Sequence, residues 1–259
     1  MCGYQLLRAL SGFLIAISAM ISTLCLADEA SHLSDKIWSY SGKTGPEYWG
    51  DLASSYSLCK EGKKQSPVDI NFADSSSFIG DIDFFYQSSP LSIENNGHTI
   101  RVNYRSGSSI TVANKTYELI QFHFHSPSEH KVQGKPSDMV VHLVHKSLDG
   151  EMAVVAVLFE KGQRSPFIQK IWDNMPQLPG QKNIPDTTIN ASDLLPVSYA
   201  YYTYTGSLTT PPCNENVKWI ILKSRSELSV NQLFTFTSIF ENNIRPLQPL
   251  YGRAIREQP

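Results

Sequence analysis

Runs rich in Val, Ile, Tyr, Phe and Thr recur along the chain between residues 98 and 222, and turn residues separate them. Because β-branched and aromatic side chains favour extended structure, these runs predict strands. The predicted strands include His98–Tyr104, Ser109–Val112, Tyr117–His125, Met139–Ser147, Met152–Phe159, Tyr199–Thr205 and Val217–Leu222. The run Ala153–Phe159 is apolar at every position, which predicts a central strand covered on both faces.

Helical patterns are few and short. Ser165 followed by Pro166 is typical of an N-cap with proline at the first helical position, and the predicted helix ends before Pro176. Ser229 begins a capping box that opens a second predicted helix over Val230–Glu241. The sequence contains no repeat, no low-complexity tract and no sign of a second domain. The pattern therefore predicts a mainly β (α+β) fold with a few short peripheral helices.

The composition is that of a globular protein without a strong charge. Of its 259 residues, 41% are hydrophobic and 18% are charged, and the formal net charge is −2. A chain with this balance has no general electrostatic attraction for nucleic acid or for acidic membrane surfaces. A small-molecule function fits the composition better.

Residues 1–27 differ from the rest of the chain: one charge, Arg8, precedes an uncharged and mostly apolar stretch from Ala9 to Ala27. This pattern predicts a signal peptide cleaved after Ala27, which leaves residues 28–259 as one domain. The mature protein is then expected to be exported, to the periplasm or alternatively by secretion, without stable membrane insertion. An uncleaved membrane anchor is the other alternative, because the stretch nearly reaches the length that spans a bilayer.

Cysteine usage agrees with export. Cys2 and Cys25 leave with the leader, so Cys59 and Cys213 remain as a pair. In an oxidising compartment such a pair predicts a disulfide, and two free buried thiols are the alternative. Cys213 directly follows Thr209–Pro212, so the bridge would fix that loop.

Three histidines on two predicted strands have the spacing of a metal site. His123 and His125 are two residues apart, so on a strand their side chains lie on one face. Turn residues within Ser126–Asp138 allow the chain to reverse and bring His142 beside them. Three neutral imidazoles without an evident fourth protein ligand predict an open tetrahedral zinc site. A single histidine among aromatic and aliphatic residues is more often a hydrogen-bonded core residue than a metal ligand. The prediction of a zinc site therefore depends on all three histidines together.

These residues occur among several motifs that follow one another in a fixed order. The motifs are Trp38–Tyr40, Gly45–Gly50, Gln65–Ile70, Asn95–His98, Gln121 with the three histidines, Glu129 with His130, Gly206–Pro212 and Asn243–Pro249. Together they resemble the α-class carbonic anhydrases over nearly the whole chain after the leader. The compact turn His125–His130 resembles the bacterial and plant members. The resemblance implies a single domain built on a large, twisted, mostly antiparallel sheet.

The resemblance also implies an activity: zinc-dependent, reversible hydration of carbon dioxide to bicarbonate and a proton by attack of zinc-bound hydroxide. Zn²⁺ would lie on the three histidines, with Gln121 accepting the ring proton of His123. Thr209 would accept a hydrogen bond from the hydroxide and give its own proton to Glu129. His98 would carry the released proton to buffer, because histidine titrates nearest to neutral pH. Without the resemblance, Thr209 and His98 are ordinary turn residues.

The other implied site residues line the cleft. Tyr40, Asn96 and Thr210 match positions that hold ordered water, and Thr210 also borders the substrate. An apolar wall for carbon dioxide, a small uncharged substrate, is matched by Val144, Val154, Leu208, Val217 and Trp219. Val144 has support of its own, because it lies two residues from His142 and shares its face of the strand. Plain core packing is the alternative for the wall residues.

One position departs from the family pattern. Two residues before the third zinc histidine the family normally has a glutamate that accepts the free ring proton, and this chain has Val140. Loss of such a partner typically costs about 10–100-fold in metal affinity or activity. Val140 therefore puts the efficiency of the predicted enzyme in question more than its resemblance to the family.

Two other functions fit parts of the sequence. His123 and His125 followed by Glu129 match the metal-binding pattern of cupin-like oxygenases, although the later segment of that pattern is missing. A non-catalytic binding protein on the same fold is compatible with Val140, although all three histidines, Glu129 and Thr209 are retained. The sequence sets no oligomeric state.

Overall fold

The computed structural model describes residues 38–71 and 80–258. The predicted leader, residues 1–27, lies outside these residues, so its cleavage stays a prediction. Within the described residues no helix combines the length and the apolar character that a membrane crossing needs.

Strands are the main regular secondary structure of the described residues. These are β1 (Asp69–Ile70), β2 (Ile82–Phe85), β3 (Ser89–Pro90), β4 (Ser92–Asn95), β5 (Ile100–Asn103), β6 (Ser109–Val112), β7 (Lys115–His125), β8 (Lys131–Val132), β9 (Lys135–Pro136), β10 (Met139–Lys146), β11 (Met152–Lys161), β12 (Lys182–Asn183), β13 (Thr188–Ile189), β14 (Tyr201–Ser207), β15 (Glu215–Leu222), β16 (Ser226–Leu228) and β17 (Arg256–Gln258). Every strand predicted from the sequence is found: Ser109–Val112 has the predicted bounds, and the ends of the others differ from the prediction by at most two residues. β5 begins at Ile100 rather than at His98, because the Asn96 side chain accepts hydrogen bonds from the N–H groups of His98 and Thr99 and bends the chain there.

Helices are short, as predicted. Within the described residues the α-helices are α1 (Trp49–Leu52), α2 (Leu58–Glu61), α3 (Pro166–Trp172) and α4 (Val230–Thr237), and short 3-10 helices cover Gly42–Thr44, Ser54–Tyr56 and Ala191–Leu194. The predicted N-caps are present: Ser165 Oγ accepts the N–H of Ile168, and the capping box at Ser229 is complete. The second predicted helix was expected to reach Glu241, but α4 ends earlier. Hydroxyl groups at its C-terminal end donate back to main-chain carbonyls, which competes with continuation of the helix.

One large sheet organises the fold. Its main path is β12-β4-β5-β7-β10-β11-β15-β14-β17, β6 and β2 extend from β7, and β16 pairs with β11. Neighbours in this sheet are antiparallel except that β11 runs parallel to β15 and to β16. Two small sheets, β1-β8-β9 and β13-β3, complete the described strands. The predicted mainly β fold with a mostly antiparallel sheet is confirmed, and the parallel pairs at β11 are a feature that the sequence did not reveal.

The two faces of the large sheet carry different apolar clusters. Along β11, Val155 and Val157 belong to the first cluster, whereas Val154 and Ala156 belong to the second. This alternation confirms that the central run is covered on both faces. The first cluster includes side chains of α3 and α4, whereas the second is built from strands and loops. Because alternate residues share a face, His142 of β10 lies on the face of the second cluster, with Val140 and Val144.

Candidate metal centre

Two neighbouring strands bring three histidines together on the face of the second cluster. His123 and His125 lie two residues apart on β7, and His142 on β10 is the direct cross-strand partner of His123. Each offers one ring nitrogen to a group of atoms that all lie within 4.8 Å of one another. The pairing of β7 with β10 therefore produces the arrangement expected from the spacing of the histidines.

Hydrogen bonds orient two of the three rings. His123 Nδ1 lies 2.9 Å from Gln121 Oε1, and His125 Nδ1 lies 2.6 Å from the main-chain oxygen of Asn243. Both oxygens only accept, so each Nδ1 is assigned the proton and donates it. Nε2 of each ring then keeps its lone pair, and Nε2 of His125 is buried with no hydrogen-bond partner among the described residues. This is the state in which a histidine ring binds a metal ion.

The third ring has fewer partners. Nδ1 of His142 lies 3.8 Å from Glu129 Oε2, and the same oxygen lies 3.8 Å from His125 Nε2. The two nitrogens face one region, which makes Nδ1 the metal-facing atom of His142. Its Nε2 is buried and has no hydrogen-bond partner in the described part of the chain. Val140, two residues earlier on the same face, is fully buried and offers no side-chain acceptor.

Burial favours the neutral form of two of the three rings. Desolvation lowers the pKa of His123 and of His142 well below the ordinary value, and the proximity of His125 lowers both further. Neutral imidazole is the form that binds a metal ion. Within residues 38–71 and 80–258 no other His, Cys, Asp or Glu joins this group, so positions are left open for water and substrate, as in a catalytic zinc site. The donor set therefore fits Zn²⁺.

Glu129 is a buried carboxylate beside the three histidines and is not a member of the metal-binding group. Its Oε1 accepts the main-chain N–H of Arg245 at 2.9 Å, while Oε2 has no hydrogen-bond partner among the described residues. A cupin-like site would use this carboxylate as a ligand, and the geometry does not support that alternative. Thr209 is also buried, but the structure shows no hydrogen bond between its hydroxyl and Glu129. The predicted pairing of these two side chains stays a prediction.

The loop that carries Thr209 is held at its end by a covalent bond. Cys213 is bonded to Cys59 across a sequence separation of 154 residues, which confirms the predicted disulfide. The main-chain N–H of Cys213 also donates to the oxygen of Thr210 at 2.9 Å. The disulfide therefore ties the loop beside the metal centre to the segment that contains α2.

Reduction of this disulfide is expected to lower the free energy of unfolding by about 4–5 kcal/mol, an upper figure from the entropy of closing so long a loop. Denaturant unfolding with and without reductant measures the difference, and the unfolded, unreduced protein should show no titratable thiol. The double variant Cys59→Ser/Cys213→Ser is the matched control and should resemble the reduced protein. Two free thiols in the unfolded, unreduced protein would contradict the bridge.

The predicted apolar wall is a single cluster in the structure. Val144, Val154, Val217 and Trp219 are buried in the second cluster, and Leu208 packs against it. The ring of Trp219 lies 4.9 Å from the ring of His142, so the wall adjoins the candidate metal ligands. The structure therefore places all five residues in one cluster, in which they serve as core packing and Trp219 adjoins His142.

His98 lies in the turn between β4 and β5 and is partly buried. Its ring packs edge-on against Tyr40 with 6.4 Å between the ring centroids. Desolvation lowers the pKa of His98 and raises the pKa of Tyr40. The side-chain oxygen of Asn96 accepts two main-chain hydrogen bonds within the turn, which leaves the side-chain amide nitrogen to hold the predicted water. Thr210 is partly exposed in the Thr209 loop.

Two residues that support the site were not singled out from the sequence. Asn243 holds the His125 ring through its main-chain oxygen, and Arg245 holds the Glu129 carboxylate through its main-chain N–H. Burial lowers the pKa of the Arg245 guanidinium to about 10. Both residues lie in the motif Asn243–Pro249, but no spacing rule connects that segment with β7, so the motif itself was the only signal.

Comparison with known proteins gives consistent matches. Residues 44–259 match the family model for eukaryotic-type carbonic anhydrase. A carbonic anhydrase of Nostoc sp. is 45% identical over 225 residues, which is 85% of this chain and 85% of that protein. A carbonic anhydrase of Neisseria gonorrhoeae is 40% identical over 244 residues, covering 93% of this chain and 96% of that protein.

A solved structure extends the likeness to the fold. The α-carbonic anhydrase of Thermovibrio ammonificans, in complex with the inhibitor sulfanilamide, has a TM-score of 0.83 and 43% sequence identity, and the match covers 85% of this chain and 98% of that chain. The region matched by the family model includes both strands that carry the three histidines, as well as Glu129 and the Thr209 loop. On sequence, extent and fold alike, the chain belongs to the α-class carbonic anhydrases, a family of zinc enzymes that interconvert carbon dioxide and bicarbonate.

Proposed function

We propose that this chain catalyses the reversible hydration of carbon dioxide to bicarbonate and a proton, with zinc held by His123, His125 and His142. The observation that carries the proposal is the group of ring nitrogens within 4.8 Å of one another beside an apolar wall. Such a wall suits a small uncharged substrate, because it excludes water and offers few hydrogen-bond donors. Membership of the family supports the same reaction.

When bound, zinc supplies a Lewis acid that lowers the pKa of a coordinated water to about 7, a value known for carbonic anhydrase itself rather than derived from this chain. His123 and His125 would bind it through Nε2, because Gln121 and the Asn243 carbonyl hold their Nδ1–H groups. These partners fix the ring orientation and the tautomer before the metal arrives. His142 would bind through Nδ1, and its other nitrogen has no comparable partner among the described residues.

Thr209 and Glu129 are assigned to orienting the reacting water. Glu129 Oε2 is buried near His125 and His142 and lacks a hydrogen-bond partner among the described residues, a state that costs free energy. Donation by the Thr209 hydroxyl would satisfy this oxygen. The Thr209 oxygen would then only accept, so the water must donate to it and present a lone pair to carbon dioxide.

The apolar wall would bind the substrate, and His98, in the turn between β4 and β5, would transfer the proton. Carbon dioxide would rest against the five wall residues, which leave it poorly hydrated beside the water. His98 would take the released proton to bulk buffer, and its lowered pKa keeps the ring mostly neutral at neutral pH and ready to accept. Tyr40, Asn96 and Thr210 would hold the water molecules that connect the reaction centre with His98.

Export belongs to the same proposal. The disulfide between Cys59 and Cys213 is the kind of bond that persists in an oxidising compartment. A leader over residues 1–27, cleaved after Ala27, would deliver the mature protein to such a compartment, and we propose the periplasm.

Stopped-flow measurement of carbon dioxide hydration, with metal content determined on the same sample, tests the proposed function. The chain from residue 28 onward should contain about one zinc ion and should hydrate carbon dioxide far above the buffer rate. Removal of zinc by a chelator should abolish the activity, and added zinc should restore it. A fully zinc-loaded protein without activity would favour a non-catalytic binding role instead.

His142 Nε2, which has no hydrogen-bond partner within residues 38–71 and 80–258, leads to a prediction at Val140. Val140→Glu should slow the loss of zinc to a chelator by about 10–100-fold, because the carboxylate would accept the ring proton and strengthen the ligand. Val140→Gln, of similar size but uncharged, is the matched control and should have a smaller effect. An unchanged release rate in a folded Val140→Glu protein would mean that the carboxylate does not reach His142 Nε2.

A further inference from the structure

A row of directly opposed residues crosses the metal-bearing face of the sheet. The strand pairing sets Lys182 opposite Glu94, Glu94 opposite Arg101, and Arg101 opposite His123, which in turn opposes His142. Directly opposed residues of neighbouring antiparallel strands lie on one face, with Cβ atoms about 4.5–5.5 Å apart. Arg101 is therefore the neighbour of the His123 ring on the β5 side.

Exposure along this row increases toward Arg101. His142 is 1% exposed, His123 is partly exposed, and the Arg101 side chain is 40% exposed. In the opposite direction the row continues from His142 to Ala156, which is fully buried. The β5 side of the metal centre is therefore its more exposed side, and Arg101 is the residue paired with His123 there.

Glu94 holds this guanidinium in place. Its carboxylate is ion-paired with Arg101 Nη2 and, at 3.1 Å, with Lys182 Nζ. The Glu94 side chain is 5% exposed and that of Lys182 is 70% exposed, so the anchor is buried and the second cation lies in solvent. Two cations share one carboxylate, which leaves one positive charge in excess. Nε of Arg101 is buried and has no hydrogen-bond partner among the described residues, and a guanidinium has five N–H donors in all.

We propose that Arg101, positioned by Glu94, is an anion-binding residue at the entrance of the metal centre that retains bicarbonate and admits competing monovalent anions. The inference rests on the proposed function, because it assigns a contact for the charged species of that reaction. Carbon dioxide carries no charge and gains little from a guanidinium. Bicarbonate is a planar anion whose oxygens match the fork of an arginine. Carbon dioxide would therefore contact the second apolar cluster, whereas bicarbonate would contact Arg101.

Equilibrium titration of the zinc-loaded protein with azide, a monovalent anion, followed by calorimetry and with bicarbonate added as a competitor, tests this role. In Arg101→Gln the Kd of azide and the Kd of bicarbonate should each rise about 3- to 10-fold. Loss of a charge-assisted hydrogen bond at a fully buried site would raise them more, but solvent weakens the interaction here because Arg101 is partly exposed. Arg101→Lys keeps the charge without the fork and should lose less. Lys182→Gln is the matched control: it removes a cation from the same row and should bind azide within about twofold of the parent, because that charge is exposed and screened.

An azide Kd in Arg101→Gln within about twofold of the parent value would overturn the proposal. So would weaker azide binding accompanied by an equal weakening of zinc binding in a chelator competition, since Arg101 would then merely support His123. If loss of the ion pair prevents folding, Glu94→Gln/Arg101→Gln replaces both charges with neutral groups and gives the same comparison. A parent protein that neither binds zinc nor hydrates carbon dioxide is a separate result, which rejects the proposed function and this inference with it.

Discussion

Alanine in place of His123, His125 or His142 is expected to reduce carbon dioxide hydration to the buffer rate and to leave the purified protein with little zinc. Each ring supplies one of the nitrogens in the group within 4.8 Å, and no other His, Cys, Asp or Glu of the described residues joins it. Loss of one ligand therefore leaves two donors, too few for a zinc site with open positions. Stopped-flow hydration and metal analysis of each variant measure the two effects.

Gln121→Ala provides the matched control for these variants. It removes only the acceptor of the His123 ring proton, so it should cost about 10–100-fold in metal affinity or activity without abolishing either. Circular dichroism would establish that each alanine variant keeps its sheet. Tight zinc binding retained in all three single variants would rule out the assignment of these histidines as the ligands.

His98→Ala is expected to reduce steady-state turnover by about 100-fold in dilute buffer, the lower end of the range for a positioned proton-transfer group, because buffer carries some protons itself. The exchange between carbon dioxide and bicarbonate at chemical equilibrium does not require a proton to leave the protein, so it should fall far less. Added imidazole should restore much of the turnover by carrying the proton directly. Stopped-flow rates over a range of buffer concentrations, together with isotope exchange at equilibrium, separate the two steps.

His98→Gln is the control for a structural role of the turn. Glutamine can hydrogen-bond but cannot titrate near neutral pH, so this variant should lose turnover as the alanine variant does and should also respond to imidazole. Equal loss of turnover and of equilibrium exchange, without rescue by imidazole, would show that His98 supports the site rather than exporting the proton.

Local features of the sequence determined several elements without help from the rest of the fold. The alternation of side chains along a strand put His123 and His125 on one face, and the capping residues Ser165 and Ser229 located the starts of both predicted helices. The run around Val155 was apolar on both faces, which predicted a covered central strand. These features depend on neighbours within a few residues, so they can be seen in a single segment.

Other features were decided only by the tertiary structure. The sequence did not show that His142 would stand directly opposite His123, nor that Arg101 would stand opposite the same residue on the other side. The acceptor for the His125 ring is a main-chain oxygen of Asn243, 118 residues away, and main-chain positions carry no side-chain signal. Strand register and long-range contacts are set by the simultaneous packing of both faces of the sheet, because a shift of one residue would move every side chain of a strand to the opposite face. That constraint acts on the whole sheet at once and cannot be read from any one segment.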